Sequence, residues 1–387
     1  MPEGRGGVNK QRHLAALWRA YIDHPTARQA DKWLAGYFRE HRSYGKRDRR
    51  WYSEEFFRLL RTAIGHLPEA VTTDAATAWR ALPSLDLARS ASPGDGFNLP
   101  GTWKRWLEHS SIPQEKMPQF LSQLGSKPPL YLRVNYPERL SEIETELSTA
   151  GFSVETLRHD ERWITLKIVG ELPVYELASL KKGFIEIQDL ASQHLGAAVD
   201  AHPGMAVWDV CAGGGGKTMQ IASQMQNRGV LYASDIRDYK LDELKLRARR
   251  AGFHNVRRFT VSDGAIAPAV TAKEIKNAGG FHRVLVDAPC SSSGTLRRNP
   301  DVRFRIMPDD PEKFAALQLN ILGEVCGHVR AGGKLIYSTC SVFKTENEDV
   351  VHSFLAQHPE FQLVESRWVG SPDLDSDTMF YAVLARA

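Results

Sequence analysis

Cysteine is scarce in this sequence and never paired. Cys211, Cys290, Cys326 and Cys340 are the four cysteines of a 387-residue chain. That is too few and too scattered for a disulfide framework, and without a CxxC pair a zinc ribbon lacks its ligand set. No metal is expected, and the cysteines are read as reduced thiols, which can act as nucleophiles. No apolar run reaches the ~18 residues that cross a bilayer. The N-terminal stretch MPEGRGGVNKQRH is polar and basic, without the apolar core of a signal peptide. These absences argue against a membrane protein and make the cytoplasm the expected compartment. Charge of one sign is also lacking overall, since 50 Lys and Arg against 46 Asp and Glu leave a net +4.

What charge excess there is lies in two places. REHRSYGKRDRR (39–50) carries six basic residues against two acids, including Lys46, Arg47, Arg49 and Arg50. LRRNPDVRFR (296–305) adds Arg297, Arg298 and Arg303. Each could be a solvated face, but two basic runs near Trp, Tyr and Phe point to a polyanionic partner such as RNA. A composition of 42% hydrophobic and 25% charged residues is that of a globular protein. The length predicts two or three domains.

Periodicity divides the chain. LAALWRAYI, ADKWLAGYF and FFRLLRTAI repeat apolar residues at helical spacing, so a helical domain is expected over 1–95. It closes in the Pro/Ser/Gly/Asp-rich connection 82–101. A helical linker region follows over 96–126, with TWKRWLEHS and MPQFLSQL as its helices. Over 127–200, LYLRV, PERLSEIETELSTAG, SVETLRHD and WITLKIVG read as a small β-α-β-β subdomain of α+β type. From 201 to 387 strands and helices alternate, which predicts an α/β fold with a doubly wound, Rossmann-like parallel sheet. FQLVES and MFYAVLARA are expected as edge strands, and Thr345 with Glu348 as a capping box.

The first strand of that alternation runs into DVCAGGGGKT (209–218), where four glycines precede a helix. Such a turn lets a ligand approach the backbone at a helix N-terminus. Cys211 stands where a P-loop needs its first glycine, and Thr218 where a dinucleotide fingerprint needs its last. The next strands end in Asp235, Asp263 and Asp287. Acids at the carboxyl ends of neighbouring parallel strands line the ligand crevice of such folds. A ligand with ribose and an amino-bearing base but no phosphates fits this set, and S-adenosylmethionine fits better than ATP or NAD.

Cys290 and Cys340 close the fourth and fifth strands, VLVDAPC and KLIYSTC. Those strands are neighbours in the common methyltransferase order, ~4.8 Å apart. Two thiols facing a methyl donor suit pyrimidine carbon chemistry. A thiolate adds to C6, C5 becomes nucleophilic, and an acid and a base complete the cycle. Cys290, Cys340 and Asp287 supply these types, but the residues alone do not say which cysteine attacks. Cys326, inside an apolar helix, reads as core.

The set DVCAGGGGKT, SD (234–235), SDG (262–264), DAPCSSSGTLRRNPD and YSTCS resembles the Sun-type RNA cytosine-5 methyltransferases. That family includes the bacterial rRNA small-subunit methyltransferase B-like enzymes. PPLYLRVN and GFIEIQDLASQ extend the likeness, and the N-terminal helices resemble a NusB-like RNA-binding domain. The resemblance implies a class I methyltransferase sheet that binds S-adenosylmethionine and acts on RNA, with rRNA favoured and tRNA the alternative; a monomer is expected. It implies that Cys340 is the nucleophile, that Cys290 assists product release and that Asp287 contacts the target cytosine, the cofactor, or both. It further implies a cofactor site of Cys211, Ala212, Gly213, Gly214, Gly215, Gly216, Lys217, Asp235 and Asp263. Three positions depart from the family pattern: Gly213-Gly214 replace Ala-Pro, Lys240 replaces Arg, and Arg247 replaces Asn. A non-catalytic RNA-binding or ribosome-assembly protein on the same fold is the alternative from another class.

Overall fold

The computed structural model describes residues 5–24, 28–62, 74–82, 99–169, 174–262 and 279–387. It divides into two compact units, Met1–Pro128 with Ser291–Asp310, and Pro129–Cys290 with Pro311–Ala387. Most of the connection expected at 82–101 lies outside the described residues.

The first unit is helical: α1 Arg5–Ile22, α2 Ala30–Glu40, α3 Lys46–Thr62, α4 Ala75–Ala81, α5 Gly101–Glu108 and α6 Met117–Leu124. Leu14, Leu17, Trp18 and Tyr21 of α1, Leu34 and Phe38 of α2, and Tyr52, Phe56 and Leu60 of α3 share one buried core. Their three-to-four spacing puts each set on one helix face. α4 begins on Asp74, whose side chain accepts from the Thr77 N–H.

The second basic run belongs to this unit rather than to the α/β domain in which the sequence places it. Its helix, Val302–Arg305, buries Phe304 edge-on against Trp79, ring centroids 5.4 Å apart. The Trp103 indole N–H donates to the Arg303 carbonyl at 3.2 Å, so α5 also packs into the unit and is no mere linker. This overturns the RNA contacts expected of two arginines. Arg303 is fully buried and donates to the carbonyls of Leu60 and Arg61. Arg297 is 4% exposed and donates to Ser126 Oγ and the Lys127 carbonyl. Apolar neighbours at Val302 and Phe304 draw the run inward, and the guanidinium donors then satisfy backbone acceptors.

The second unit contains two sheets. The smaller is antiparallel, with β1 Leu130–Val134, helix α7 Leu140–Thr149, β2 Ser153–Arg158, β3 Ile164–Val169 and β4 Ile185–Ile187 in the order β2-β3-β1-β4. β4, only three residues long, is too short to show periodicity and was not expected.

After α8 Leu190–Ala198 come β5 Ala206–Asp209, α9 Gly216–Gln224, β6 Val230–Asp235, α10 Asp238–Ala251, β7 Val256–Thr260, β8 Phe281–Asp287, α11 Asp310–Cys326, β9 Val329–Thr339, α12 Glu348–Gln357, β10 Phe361–Gly370 and β11 Thr378–Arg386. The seven-stranded order is β10-β11-β9-β8-β5-β6-β7. β5 to β9 pair in parallel, whereas β11 runs antiparallel to both neighbours, so the sheet is mixed. Consecutive residues face opposite layers: Trp208 and Tyr337 enter one core, Val207 and Ile336 the other. The fold is the doubly wound α/β sheet expected.

Two local expectations change. MFYAVLARA is interior, not an edge, because it pairs with β10 on one side and β9 on the other. The Thr345/Glu348 capping box does not form: α12 begins at Glu348, and the preceding turn points Glu346 and Asn347 inward. Among the described residues no helix is long and apolar enough to cross a membrane.

Candidate active site

The cofactor turn is built where β5 meets α9. Gly213 (φ +54°) and Gly215 (φ +84°) take left-handed backbone conformations, and a Cβ on Gly215 would lie 2.2 Å from Leu244 Cδ1. Polar anchors hold the turn from behind. Arg247 donates to the Gly214 carbonyl at 2.5 Å, and Arg133 to the Gly216 carbonyl at 2.9 Å. Glu186, 4% exposed at its side chain, pairs with Arg247 at 2.9 Å and Arg250 at 2.6 Å. The Arg247 that departs from the family pattern thus braces the glycine that departs from it.

Asp235 ends β6 beside this turn. It accepts from Gly213 N at 2.8 Å and from Arg237 Nε at 2.8 Å. Burial opposes its charge, but the Arg237 and Gly213 hydrogen bonds prevail and lower its pKa, leaving an ionised acceptor. A carboxylate here suits ribose hydroxyls, and a glycine turn with no phosphate clamp suits a sulfonium nucleoside. The residues present therefore fit S-adenosylmethionine. Asp263 lies outside the described residues.

Asp287 closes β8. Lys217 Nζ meets its Oδ2 at 2.7 Å, and Ser338 Oγ meets its Oδ1 at 3.0 Å. Burial disfavours the Lys217 charge, yet Asp287 outweighs it and raises the lysine pKa, with Cys340 a further contributor. Asp209 is 1% exposed and accepts from Thr218 Oγ1 at 2.6 Å. Burial pushes its carboxyl up to about 7, against the Thr218 hydrogen bond and aided by the Asp287 charge.

β8 and β9 pair in parallel with Asp287 opposite Ser338. Their following turns bring Cys290 Sγ and Cys340 Sγ to 3.2 Å, both half-buried. Gln318 donates to the Pro289 carbonyl at 2.9 Å, and the Tyr337 hydroxyl donates to Gln318 Oε1 at 2.9 Å. Ser341 Oγ donates to Glu346 at 2.7 Å, and Asn347 Nδ2 donates to the Ser341 carbonyl at 3.0 Å. Gln318, Tyr337, Glu346 and Asn347 are completely buried, so a polar network fixes both cysteine turns. Sequence reasoning missed these four; the acid-and-amide run TENE was the one signal of Glu346 and Asn347. Cys211 sits by the glycine turn. Desolvation, reinforced by Asp209, Asp287 and Asp235, pushes its thiol up and keeps it protonated.

The basic residues of α3 are in the first unit. Lys46, Arg47 and Arg50 are exposed, and Arg50 pairs with Glu54 at 3.2 Å. Arg49 is half-buried and donates to the Tyr44 carbonyl at 2.8 Å. Arg298 is half-buried.

Known proteins share these features. Residues 197–382 match the family described as 16S rRNA methyltransferase RsmB/F. The ribosomal RNA small subunit methyltransferase B of Yersinia enterocolitica is 31% identical over 314 residues, which cover 78% of this chain and 70% of that protein. A probable ribosomal RNA small subunit methyltransferase B of Bacillus subtilis is 38% identical over 182 residues, or 47% of this chain and 39% of that protein. The crystal structure of PH0851 superposes with a TM-score of 0.72 at 24% identity, covering 90% of this chain and 92% of that one, and shows the same fold. With the cofactor turn, the ribose acid and this family match in place, the chain belongs to the RsmB/F methyltransferase family and uses S-adenosylmethionine.

Proposed function

We propose that this protein transfers the methyl group of S-adenosylmethionine to C5 of a cytosine in RNA, most favourably rRNA, through a covalent adduct between Cys340 and C6. The observation that carries the reading is the pair of thiols 3.2 Å apart at the tips of adjacent parallel strands, beside the Lys217–Asp287 pair. Relatives named for rRNA methylation favour rRNA as substrate.

The cofactor supplies an electrophilic methyl on sulfur. Cys340 adds as thiolate to C6, favoured by the nearby Lys217 ammonium. The Asp287 carboxylate accepts from the cytosine amino group, and the Lys217–Asp287 pair supplies the proton that N3 takes up as the C5=C6 electrons move into the ring. C5 then bonds the methyl carbon, and the carbon–sulfur bond electrons leave with S-adenosylhomocysteine. Cys290 assists the closing step as thiolate: it takes the C5 proton, N3 returns its proton to the Lys217–Asp287 pair, the C5=C6 bond re-forms and the Cys340–C6 bond breaks to release the thiolate. The base must be presented from a loop or flipped out to reach two strand tips. Lys46, Arg47, Arg49, Arg50 and Arg298 are assigned to the RNA backbone, so the helical unit acts as an RNA grip and binding weakens with salt. A monomer working in the cytoplasm fits this reading.

Incubation with methyl-labelled cofactor and cellular RNA tests it. Label at cytosine C5 of rRNA is expected. Label confined to tRNA overturns the substrate assignment, and no C5 label in either RNA sinks the chemistry in favour of a non-catalytic RNA-binding role. Cys340→Ala should lower turnover by at least ~10³-fold and form no adduct. Cys290→Ala should accumulate a denaturation-resistant protein–RNA complex; the reverse pattern would exchange the two roles.

A further inference from the structure

At the opposite end of β9 from Cys340, three side chains from separate segments converge. Cys326 is the last residue of α11, His358 caps the C-terminus of α12, and Glu360 immediately precedes β10. Their donor atoms all lie within 4.8 Å of one another, the one such group of His, Cys, Asp and Glu among the described residues. We propose that Cys326, His358 and Glu360 bind a single zinc ion, or another thiolate-seeking divalent cation, at a site separate from methyl transfer.

The distances carry the argument. Cys326 Sγ lies 3.6 Å from His358 Nδ1, which lies 3.4 Å from Glu360 Oε1. The nitrogen–oxygen separation is long for a hydrogen bond, which for N–H···O spans roughly 2.7–3.2 Å. One ring nitrogen also cannot serve both partners fully. The Cys326 S–H donates to the Gly323 carbonyl at 3.3 Å, which leaves the sulfur lone pairs on the side of His358. Three donor atoms of these types within 4.8 Å of one another suit a cation. Zinc bonds sulfur at ~2.3 Å and nitrogen or oxygen at ~2.0–2.2 Å in a tetrahedron. Two such ligands then stand about 3.5 Å apart for sulfur and nitrogen, and about 3.4 Å apart for nitrogen and oxygen. The two observed separations match these edges, and the sulfur–oxygen edge lies within 4.8 Å.

The surroundings favour positive charge. Two helices, α11 and α12, end here, and helix C-termini carry partial negative charge. The His358 ring is held by stacking on Phe354, centroids 4.5 Å apart. The Glu360 backbone is pinned by the Ala387 N–H at 2.9 Å. Arg386 opposes a cation through its action on Glu360, but its guanidinium is engaged by the carbonyls of Gly327 and Val329. Sulfur, imidazole and carboxylate together select zinc over magnesium or calcium. On binding, the Cys326 S–H bond breaks, the sulfur–metal bond forms and the proton goes to solvent, with no change of oxidation state.

Cobalt(II), added anaerobically to the full-length protein under reducing conditions, is the probe. One equivalent should give a thiolate-to-metal charge-transfer band and the visible absorption of a tetrahedral site. Cys326→Ser should abolish both, while His358→Ala and Glu360→Gln should weaken binding at least tenfold. A Cys290→Ser/Cys340→Ser double variant should keep the spectrum, which separates this site from the thiols of methyl transfer. Zinc should also raise the thermal midpoint of the parent but not of Glu360→Gln, whose half-exposed side chain can be replaced without disturbing the core. No thiolate band at tenfold excess cobalt, or a band that survives Cys326→Ser and disappears in the double variant, overturns the proposal.

Discussion

Asp209 is the residue whose environment departs furthest from what its position in a strand suggests. Its carboxyl is 1% exposed, and among the described residues its Oδ1 has no hydrogen-bond partner. Unfolded, it loses its proton near ~3.9; folded, near about 7. Between those values the folded state holds the extra proton, so its contribution to stability is full below the lower value and is lost as pH rises towards the upper. Asp209→Asn carries no titrating proton and should lack this decline. Urea denaturation of both proteins at about pH 5 and about pH 8 should therefore show the variant gaining on the parent, by roughly 2–3 kcal/mol. A parent–variant difference independent of pH would mean the carboxyl is not held neutral. Asp235 and Asp287 were legible because strand periodicity puts them at the edge where ligands bind. Asp209 was not, since a buried and a ligand-facing acid at a strand end read alike. Arg297 and Arg303 failed for the same reason: a basic run does not disclose which guanidinium groups fold inward.

At the scale of elements, the glycine turn is rigid through groups outside it. Arg133 comes from β1, Glu186 from β4, and Arg247 and Arg250 from α10, so the small sheet and a helix jointly hold two carbonyls of the turn. Arg247→Ala should raise the cofactor KM about tenfold, the worth of one charge-assisted hydrogen bond. Its kcat should change by less than ~2-fold, because the cysteine turns rest on a different network. Arg247→Lys should recover part of the loss, having a donor but no fork. A fall in kcat at constant KM would refute a role in positioning the cofactor turn. Glu186 keeps Arg250 in either variant, which guards the fold. Sequence periodicity located α10, β6 and β8 because they are long or strongly patterned. It failed at β4, too short to carry a period, and at TENE, where Glu346 and Asn347 between the two expected capping residues turn inward to satisfy buried polar atoms.

For the whole molecule, the chain returns after Cys290 to complete the helical unit before re-entering the sheet at α11. Phe304, 4% exposed against Trp79, is the anchor of that return. Phe304→Ala should cost ~3–5 kcal/mol in the helical unit, read as an earlier urea transition in tryptophan fluorescence. An unchanged transition would show that the segment adds nothing to the core. The sequence by itself determined the alternating α/β order, the glycine turn, the acids at the tips of β6 and β8, and the thiols after β8 and β9, because each depends on local periodicity and residue chemistry. Only the tertiary structure decided that 291–310 belongs with the helices, that β11 is interior, and that Glu346 and Asn347 fix the cysteine turns. It alone brought Cys326 to His358 and Glu360. Those outcomes depend on which side chains find space and polar partners among residues far away in the chain, which no local pattern encodes.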